Sequence, residues 1–343
     1  MKEITDYGKV FETLVTKTAD YLVNNNIKAQ ILGISGGIDS TVGAAICHEV
    51  AKRTGIPLIG RSLPTNFNKE NEISTADLVG KAFCSDYKVC NINQMYFTYA
   101  ADIILNESGD VYYDIDYDGN IINLQDDFLS PIARGNIQAR LRMIYLYNLA
   151  SIHRGLVIDT DNLTENNLGY FTIHGDVGDF NPIGGLWKTE VFELAEWYNN
   201  NYVQKIIKDT NDYFESGGME VNGPTKFRVM MDDPVYKALT ESLKLKPTAG
   251  LGITDSDLDE IGAESYEQVD SILREILAWK WLSLEKRGDT YESVWDMRNA
   301  FLEEQQMLDT PIEVIIAVTD RHFKSEFKRK QLPIKISRND IRI

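Results

Sequence analysis

Cysteine is scarce in this chain. Only Cys47, Cys84 and Cys90 occur among 343 residues, and their spacing matches no zinc-binding pattern. A disulfide scaffold and a structural zinc site are therefore set aside, and the three read as small apolar residues of a reducing compartment. Basic charge is also in short supply: 35 Lys and Arg stand against 52 Asp and Glu, for a formal net charge of −17. That balance disfavours DNA or RNA as the main substrate, because binding a phosphate backbone needs clustered cations. A few basic residues gathered in one cleft would still hold a small phosphorylated ligand. No long apolar run suited to crossing a bilayer is present, and the opening MKEITDYGKVFETL lacks a basic-then-apolar signal design. A cytoplasmic protein without a membrane partner is expected. Internal repeats and low-complexity segments are missing as well.

What is present is a rhythm. From Tyr7 to Val23 the apolar residues Val10, Phe11, Leu14, Val15, Ala19 and Leu22 recur at helical spacing until Asn24-Asn25-Asn26 ends the pattern. Short apolar runs follow at Ala29 to Ile34, Pro57 to Leu63, Tyr87 to Ile92 and Gly155 to Ile158, separated by helical stretches near Ser40 to Lys52, Glu70 to Phe83 and Asn136 to Ile152. Strands alternating with helices predict an α/β fold, a doubly wound parallel sheet of Rossmann-like type with helices on both faces and a mainly helical C-terminal part. Two stretches break the rhythm. Residues 106–128 are acidic and turn-rich, with Asp118-Gly119 between apolar residues, which reads as a hairpin insertion on the surface. Residues 200–246 carry the turn signals Gly217-Gly218 and Gly223-Pro224 and read as a peripheral insertion or lid. The whole of 1–343 is taken as a single domain, with a helical extension from about residue 264 to the end.

The strand Ile31 to Ile34 runs into Ser35-Gly36-Gly37-Ile38-Asp39-Ser40 and then into a helix. Two glycines let the backbone pass close to an anion, while a helix N-terminus aims unpaired N–H groups and partial positive charge at it. Ser35 and Ser40 add hydroxyl donors, and Asp39 suits a magnesium ion bridging phosphates. No Lys follows the glycines, so this is not a Walker A loop, and the dinucleotide Gly-x-Gly-x-x-Gly spacing fails too. The plainer alternative is a glycine-rich turn that only caps a helix.

Further along, Gly135 to Met143 opens a helix on which Arg140 and Arg142 cannot share a face, so one can reach a ligand while the other packs or pairs at the surface. After the strand ending at Ile158 comes the acidic stretch Asp159 to Asp176, at another strand end that a parallel sheet would set beside the first loop. Glu165 can there join Asp39 on one metal ion. A solvated acidic loop with Thr160 capping a short helix is the bland alternative.

Ser-Gly-Gly-x-Asp-Ser resembles the pyrophosphate loop of the N-type ATP pyrophosphatases, which join AMP to an acceptor oxygen and let a nucleophile displace it. The ordered motifs Asn-Ile-Gln-Ala-Arg-Leu-Arg-Met from Asn136, Thr-Asp-Asn-x-x-Glu from Thr160, Gly-Tyr-Phe-Thr from Gly169 and Asn-Pro-Ile-x-Gly-Leu-x-Lys-Thr from Asn181 are similar to those of the ammonia-dependent NAD synthetases within that superfamily. The resemblance covers most of Ser35 to Trp197, with echoes near Lys246 to Ala249, Ser256 to Asp270 and Glu326 to Arg329. It implies that Gly33, Ile34, Ser35, Gly36, Gly37, Ile38, Asp39 and Ser40, with Thr160, Lys188 and Thr248, bind ATP. It implies Mg²⁺ on Asp39 and Glu165, and deamido-NAD on Arg140, Asp176 and Lys328, with Ile173 and Phe327 at two further substrate positions.

Three departures stand out: Ile173 where many members carry a Lys, Phe327 in place of a His, and Asp159 in place of a Gly, which adds charge near the nucleotide. The implied reaction is ATP-dependent amidation of deamido-NAD with ammonia, releasing AMP and pyrophosphate. Ammonia would be free or come from a separate partner, since no glutamine-hydrolysing domain fits before Ser35. The implied assembly is a homodimer. The rival readings are another pyrophosphatase, such as a GMP synthetase unit or a tRNA ligase, and a non-catalytic nucleotide sensor.

Overall fold

A computed structural model describes residues 4–125, 127–216, 231–246, 257–307, 309–329 and 334–335. Helix α1 (Tyr7–Asn24) starts where the Asp6 carboxylate accepts from the Lys9 N–H at 3.0 Å. Its Val10, Leu14, Val15 and Leu22 pack down on α2 (Ile38–Thr54). The strands are β1 (Gln30–Gly33), β2 (Leu58–Ser62), β3 (Asp86–Val89), β6 (Leu156–Ile158), β7 (Phe180–Asn181) and β8 (Ile334–Lys335). They form one sheet in the order β3-β2-β1-β6-β7-β8, with every pairing parallel.

Alternation along the strands splits the core in two. Leu32, Leu58 and Ile158 face the cluster built with α1, α2, α3 (Glu70–Phe83) and α7 (Lys188–Ser216). Ile31, Ile59 and Val157 face the opposite cluster, built with α4 (Asn93–Ser108) and α5 (Pro131–His153). The doubly wound parallel sheet is thus observed, with strands and helices close to where periodicity puts them. Between α4 and α5, β4 (Tyr112–Ile115) and β5 (Ile121–Gln125) pair antiparallel across the Asp118-Gly119 turn, with Gly119 at φ +81°.

Of the stretch 200–246, expected to be peripheral, residues 217–230 lie outside the described residues, and part of the rest is built into the core. Helix α7 continues to Ser216, and α8 (Pro234–Lys244) lays Val235, Ala238, Leu239 and Ser242 into the core against α2, α3 and α7. Those four positions follow i, i+3, i+4, i+7, a buried stripe that the surrounding turn signals obscure. A third apolar cluster holds the C-terminal part. There α6 (Leu163–Leu168), α9 (Asp257–Ile261), α10 (Tyr266–Lys280), α11 (Val294–Glu304), α12 (Ile312–Lys324) and the short α13 (Glu326–Arg329) gather around Trp187, Leu273, Ile276 and Phe323. The loops at the carboxyl ends of β1, β2 and β6 enclose one cleft of about 660 Å³.

Candidate active site

The cleft floor is the loop after β1. Gly37 stands at the N-cap of α2 without a side-chain cap, which leaves the first N–H groups of that helix aimed at the cavity. Ser35 Oγ accepts from the Gly37 N–H at 3.2 Å and lies 3.0 Å from Ser40 Oγ, which donates to the Gly37 carbonyl at 3.0 Å. Gly36 sits at φ +85°, and a Cβ there would come within 2.7 Å of the Ala76 nitrogen and the Glu72 carbonyl. Both the backbone angle and the fit against α3 therefore demand glycine.

Asp39, in the first turn of α2, meets Glu165 on α6 through one cation. Lys188 Nζ lies 2.5 Å from Asp39 Oδ2 and 2.9 Å from Glu165 Oε1. Asn162 braces both carboxylates: its Nδ2 donates to Asp39 Oδ1 at 2.9 Å, and its N–H donates to Glu165 Oε2 at 3.1 Å in a capping box. Lys188 is almost wholly buried, and burial works against its charge. The two carboxylates overcome that and hold its ammonium well above the usual lysine range.

The Lys188 ammonium thus brings a carboxylate oxygen of Asp39 and one of Glu165 to a single point. Among the described residues no group of three or more His, Cys, Asp or Glu forms a self-sufficient metal cage. Two carboxylates are a donor set of the kind magnesium accepts, since that ion takes one or two carboxylates and completes its shell with phosphate oxygens and water. The donor set fits the metal.

The remaining expected residues divide by position. Gly33, Ile34, Ile38, Thr160 and Asp176 line the same cleft as the loop, the carboxylates and Lys188. Asp176 Oδ2 accepts from the Thr172 N–H at 2.5 Å, across a turn in which His174 takes φ +60°. Arg140, Ile173, Phe327 and Lys328 lie outside the cleft lining. Arg140 is exposed and its Nε donates to the Ile173 carbonyl at 3.3 Å, while Phe327 is 59% exposed. Lys328 Nζ donates to the Gly169 and Phe171 carbonyls at 2.9 and 2.8 Å, pinning α13 against the loop that leads to Asp176. Thr248 lies outside the described residues.

Four features escape sequence reasoning. Arg142, rather than Arg140, borders the cleft, with Nε on the Leu63 carbonyl at 3.0 Å and Nη2 on Asn68 Oδ1 at 3.2 Å. Asp161 also lines the cleft with its Oδ2 shielded and unpaired, and burial together with Asp159 and Glu165 holds its carboxyl well above the usual range. Asn162 is visible in the sequence only as the third residue of the Thr-Asp-Asn-x-x-Glu motif. Asp159 does not line the cleft. Buried to 1% exposure, its carboxylate turns inward to accept from the N–H groups of Asp161 and Gly178 at 2.7 and 3.0 Å and from Asn181 Nδ2 at 2.9 Å.

Comparison with known proteins bears on this arrangement. The NAD synthase family model matches residues 10–211. An NH(3)-dependent NAD(+) synthetase of Thermococcus sibiricus is 35% identical over 331 residues, 96% of this chain and 97% of the relative. Another of the same description, from Mannheimia succiniciproducens, is 33% identical over 75% of this chain and 83% of the relative. Among solved structures, an NMN synthetase from Francisella tularensis superposes with TM-score 0.61 at 24% identity, covering 95% of this chain and 97% of the other. An NAD⁺ synthetase from Burkholderia pseudomallei gives 0.53 at 20% identity, covering 96% and 92%. At these identities the structural likeness speaks for the fold.

Proposed function

From the premise that the chain belongs to the NAD synthase family, we propose a division of labour within its cleft. The enzyme amidates deamido-NAD with ammonia at the expense of ATP, giving NAD, AMP and pyrophosphate. The observation that carries the assignment of roles is the convergence of Asp39, Glu165 and Lys188 at the mouth of the Ser35–Ser40 loop.

The open N–H groups of α2 and the Ser35 and Ser40 hydroxyls take the triphosphate, with Thr160 and Lys188 beside it. Asp39 and Glu165 would hold Mg²⁺, which when bound offsets charge on the phosphates. The nicotinate carboxylate attacks the α-phosphorus, pyrophosphate leaves, and ammonia then displaces AMP from the acyl adenylate. The chain's contribution is alignment and charge, because two polyanions must meet without repelling each other. Asp176, which lines the cleft, is assigned to deamido-NAD, and Lys328 supports the loop that leads to it through the Gly169 and Phe171 carbonyls.

The active form we propose is a homodimer. On α5, Arg140 shares an exposed face with Ile144 and Tyr147 at i, i+4 and i+7, and the β4–β5 hairpin shows Tyr112, Ile115 and Tyr117 to solvent. A partner on that face places Arg140 at the subunit boundary, where it serves deamido-NAD. A cytoplasmic setting agrees with the three free cysteines.

The test is pyrophosphate release from ATP with ammonium and, in turn, deamido-NAD, xanthosine monophosphate or tRNA. Release with deamido-NAD alone is expected, with glutamine a poor substitute for ammonium. Release with another acceptor, or ATP binding without turnover, would overturn the assignment. Sedimentation should give twice the chain mass of 38.9 kDa.

A further inference from the structure

Helix α10 lies beyond the stretch matched by the family model, yet one of its faces is spent on the catalytic centre. Tyr266, Asp270 and Arg274 recur every four residues and so line up on one side of the helix. All three meet the start of α7. The Tyr266 ring lies 5.6 Å from Lys188 Nζ. Asp270 Oδ2 accepts from the Thr189 N–H at 3.1 Å and from Thr189 Oγ1 at 2.8 Å. Arg274 pairs with Glu190 at 3.4 Å, and Glu190 in turn accepts from the Trp187 N–H at 2.9 Å.

Asp270 also reaches the metal side. Its Oδ1 accepts from the Thr164 hydroxyl, and that hydroxyl accepts from the Lys188 N–H at 2.8 Å. Thr164 immediately precedes Glu165. Asp270, Thr164 and Lys188 are each no more than 2% exposed. One buried carboxylate therefore fixes the backbone of Lys188 from both sides and fixes the residue next to Glu165.

We propose that Asp270 is a positioning residue for the ATP and metal centre, acting through Thr164 and Thr189 to hold Lys188 and Glu165 in register. It touches no reacting atom. The inference rests on the reading of Asp39, Glu165 and Lys188 as that centre. Displacement of about 1 Å at a phosphoryl-transfer site costs up to roughly 100-fold in rate, so loosening this brace should show in catalysis before it shows in folding.

The experiment uses the full chain. Mn²⁺ binding with ATP is followed by electron paramagnetic resonance, alongside kcat, the KM values and Tm, for Asp270→Asn and for Ser283→Ala. Ser283 is equally buried in the C-terminal part but bonds Asp289 and Tyr291, away from α7. Asp270→Asn should lower kcat about 10-fold to 100-fold and weaken Mn²⁺ binding with ATP about 5-fold, leaving KM for deamido-NAD within about two-fold. Ser283→Ala should change only Tm. Thr189→Val, which loses the hydroxyl bond, should lose about 3-fold in kcat, and Thr189→Ser should restore it. These threonine variants decide the matter if Asp270→Asn does not fold. Wild-type kcat and Mn²⁺ affinity in the Asp270 and Thr189 variants, or losses no greater than those of Ser283→Ala, would overturn the proposal alone. A wild-type enzyme that binds no Mn²⁺ with ATP would overturn the underlying reading as well.

Discussion

Replacing Lys188 by Met keeps the stem volume and removes the ammonium that joins Asp39 to Glu165. The lysine side chain is 2% exposed, and its partners are 17% and 18% exposed. Removing one member of a fully buried ion pair costs about 3–5 kcal/mol, because the charge left behind has no partner. Here two carboxylates are left facing each other, but both keep some contact with water, so the loss should lie nearer 2–4 kcal/mol. For a chain of this length that corresponds to a fall of roughly 3–6 °C in Tm.

Adding Glu165→Gln should recover part of the loss, since it removes one of the two opposed charges. The double variant would then be more stable than the sum of the single changes predicts, by about 1 kcal/mol. Millimolar Mg²⁺ should likewise raise Tm more in Lys188→Met than in the wild type, because a divalent ion supplies the missing charge. Turnover should fall about 100-fold to 1,000-fold, as for loss of one preorganised donor to a reacting phosphate. The assays are thermal unfolding with and without Mg²⁺, and steady-state pyrophosphate release. A Lys188→Met enzyme with unchanged Tm and near-normal turnover would refute the argument that this ammonium bridges the two acids in the working enzyme.

Asp39→Asn and Glu165→Gln should each abolish turnover while circular dichroism stays native, and an active Glu165→Gln enzyme would remove that residue from the metal site. Gly36→Ala should weaken ATP binding about 100-fold in calorimetry, because the φ of +85° and the 2.7 Å approach to α3 both oppose a methyl group; normal affinity would show that the loop moves freely. Arg142→Met should raise KM for ATP and lower Tm, since Arg142 borders the cleft and ties Leu63 to Asn68, whereas Arg140→Met should act on KM for deamido-NAD alone. Burial pushes the Asp270 carboxyl up to about 6 from the ordinary 3.8. Between those two values the folded chain binds more protons than the unfolded one, so this group makes stability fall as pH rises from about 4 to about 6. Unfolding of Asp270→Asn should lack that component, and parallel pH slopes for wild type and variant would contradict it.

The parts of this molecule that were legible in the sequence are those where chemistry is local. Ile31 to Ile34 is an unbroken apolar run because β1 lies in mid-sheet with helices on both faces, and Ser-Gly-Gly-x-Asp-Ser follows because the turn into α2 needs glycine at the φ of +85° of Gly36 and close against α3. Strand β7 offers two residues, Phe180 and Asn181, too short for any period. The two arginines of α5 were separable only by helical phase. That helix is apolar nearly all round, with Leu141 and Leu146 covering the sheet while Ile144 and Tyr147 lie exposed, so the sequence carries no clear stripe from which to assign them.

Asp159 and Asp270 are instances of a more general limit. Each is an acidic residue in an acidic chain, and nothing in the neighbouring residues marks it as buried. Asp159 reads as added charge near a nucleotide until the turn at Gly178 and the Asn181 amide bring three N–H groups onto it. Asp270 finds its donors 81 and 106 residues away in the chain. A carboxylate becomes structural when the fold delivers enough donors to replace water, and that delivery is a property of topology. The same topology explains why Lys188, at the start of a helix and alone among acids, carries its charge in the interior. The sheet order sets β6 beside β1, so α6 and α2 present Glu165 and Asp39 to one point. Those two acids make the position one that a cation fills, and the cation that fills it is the Lys188 ammonium.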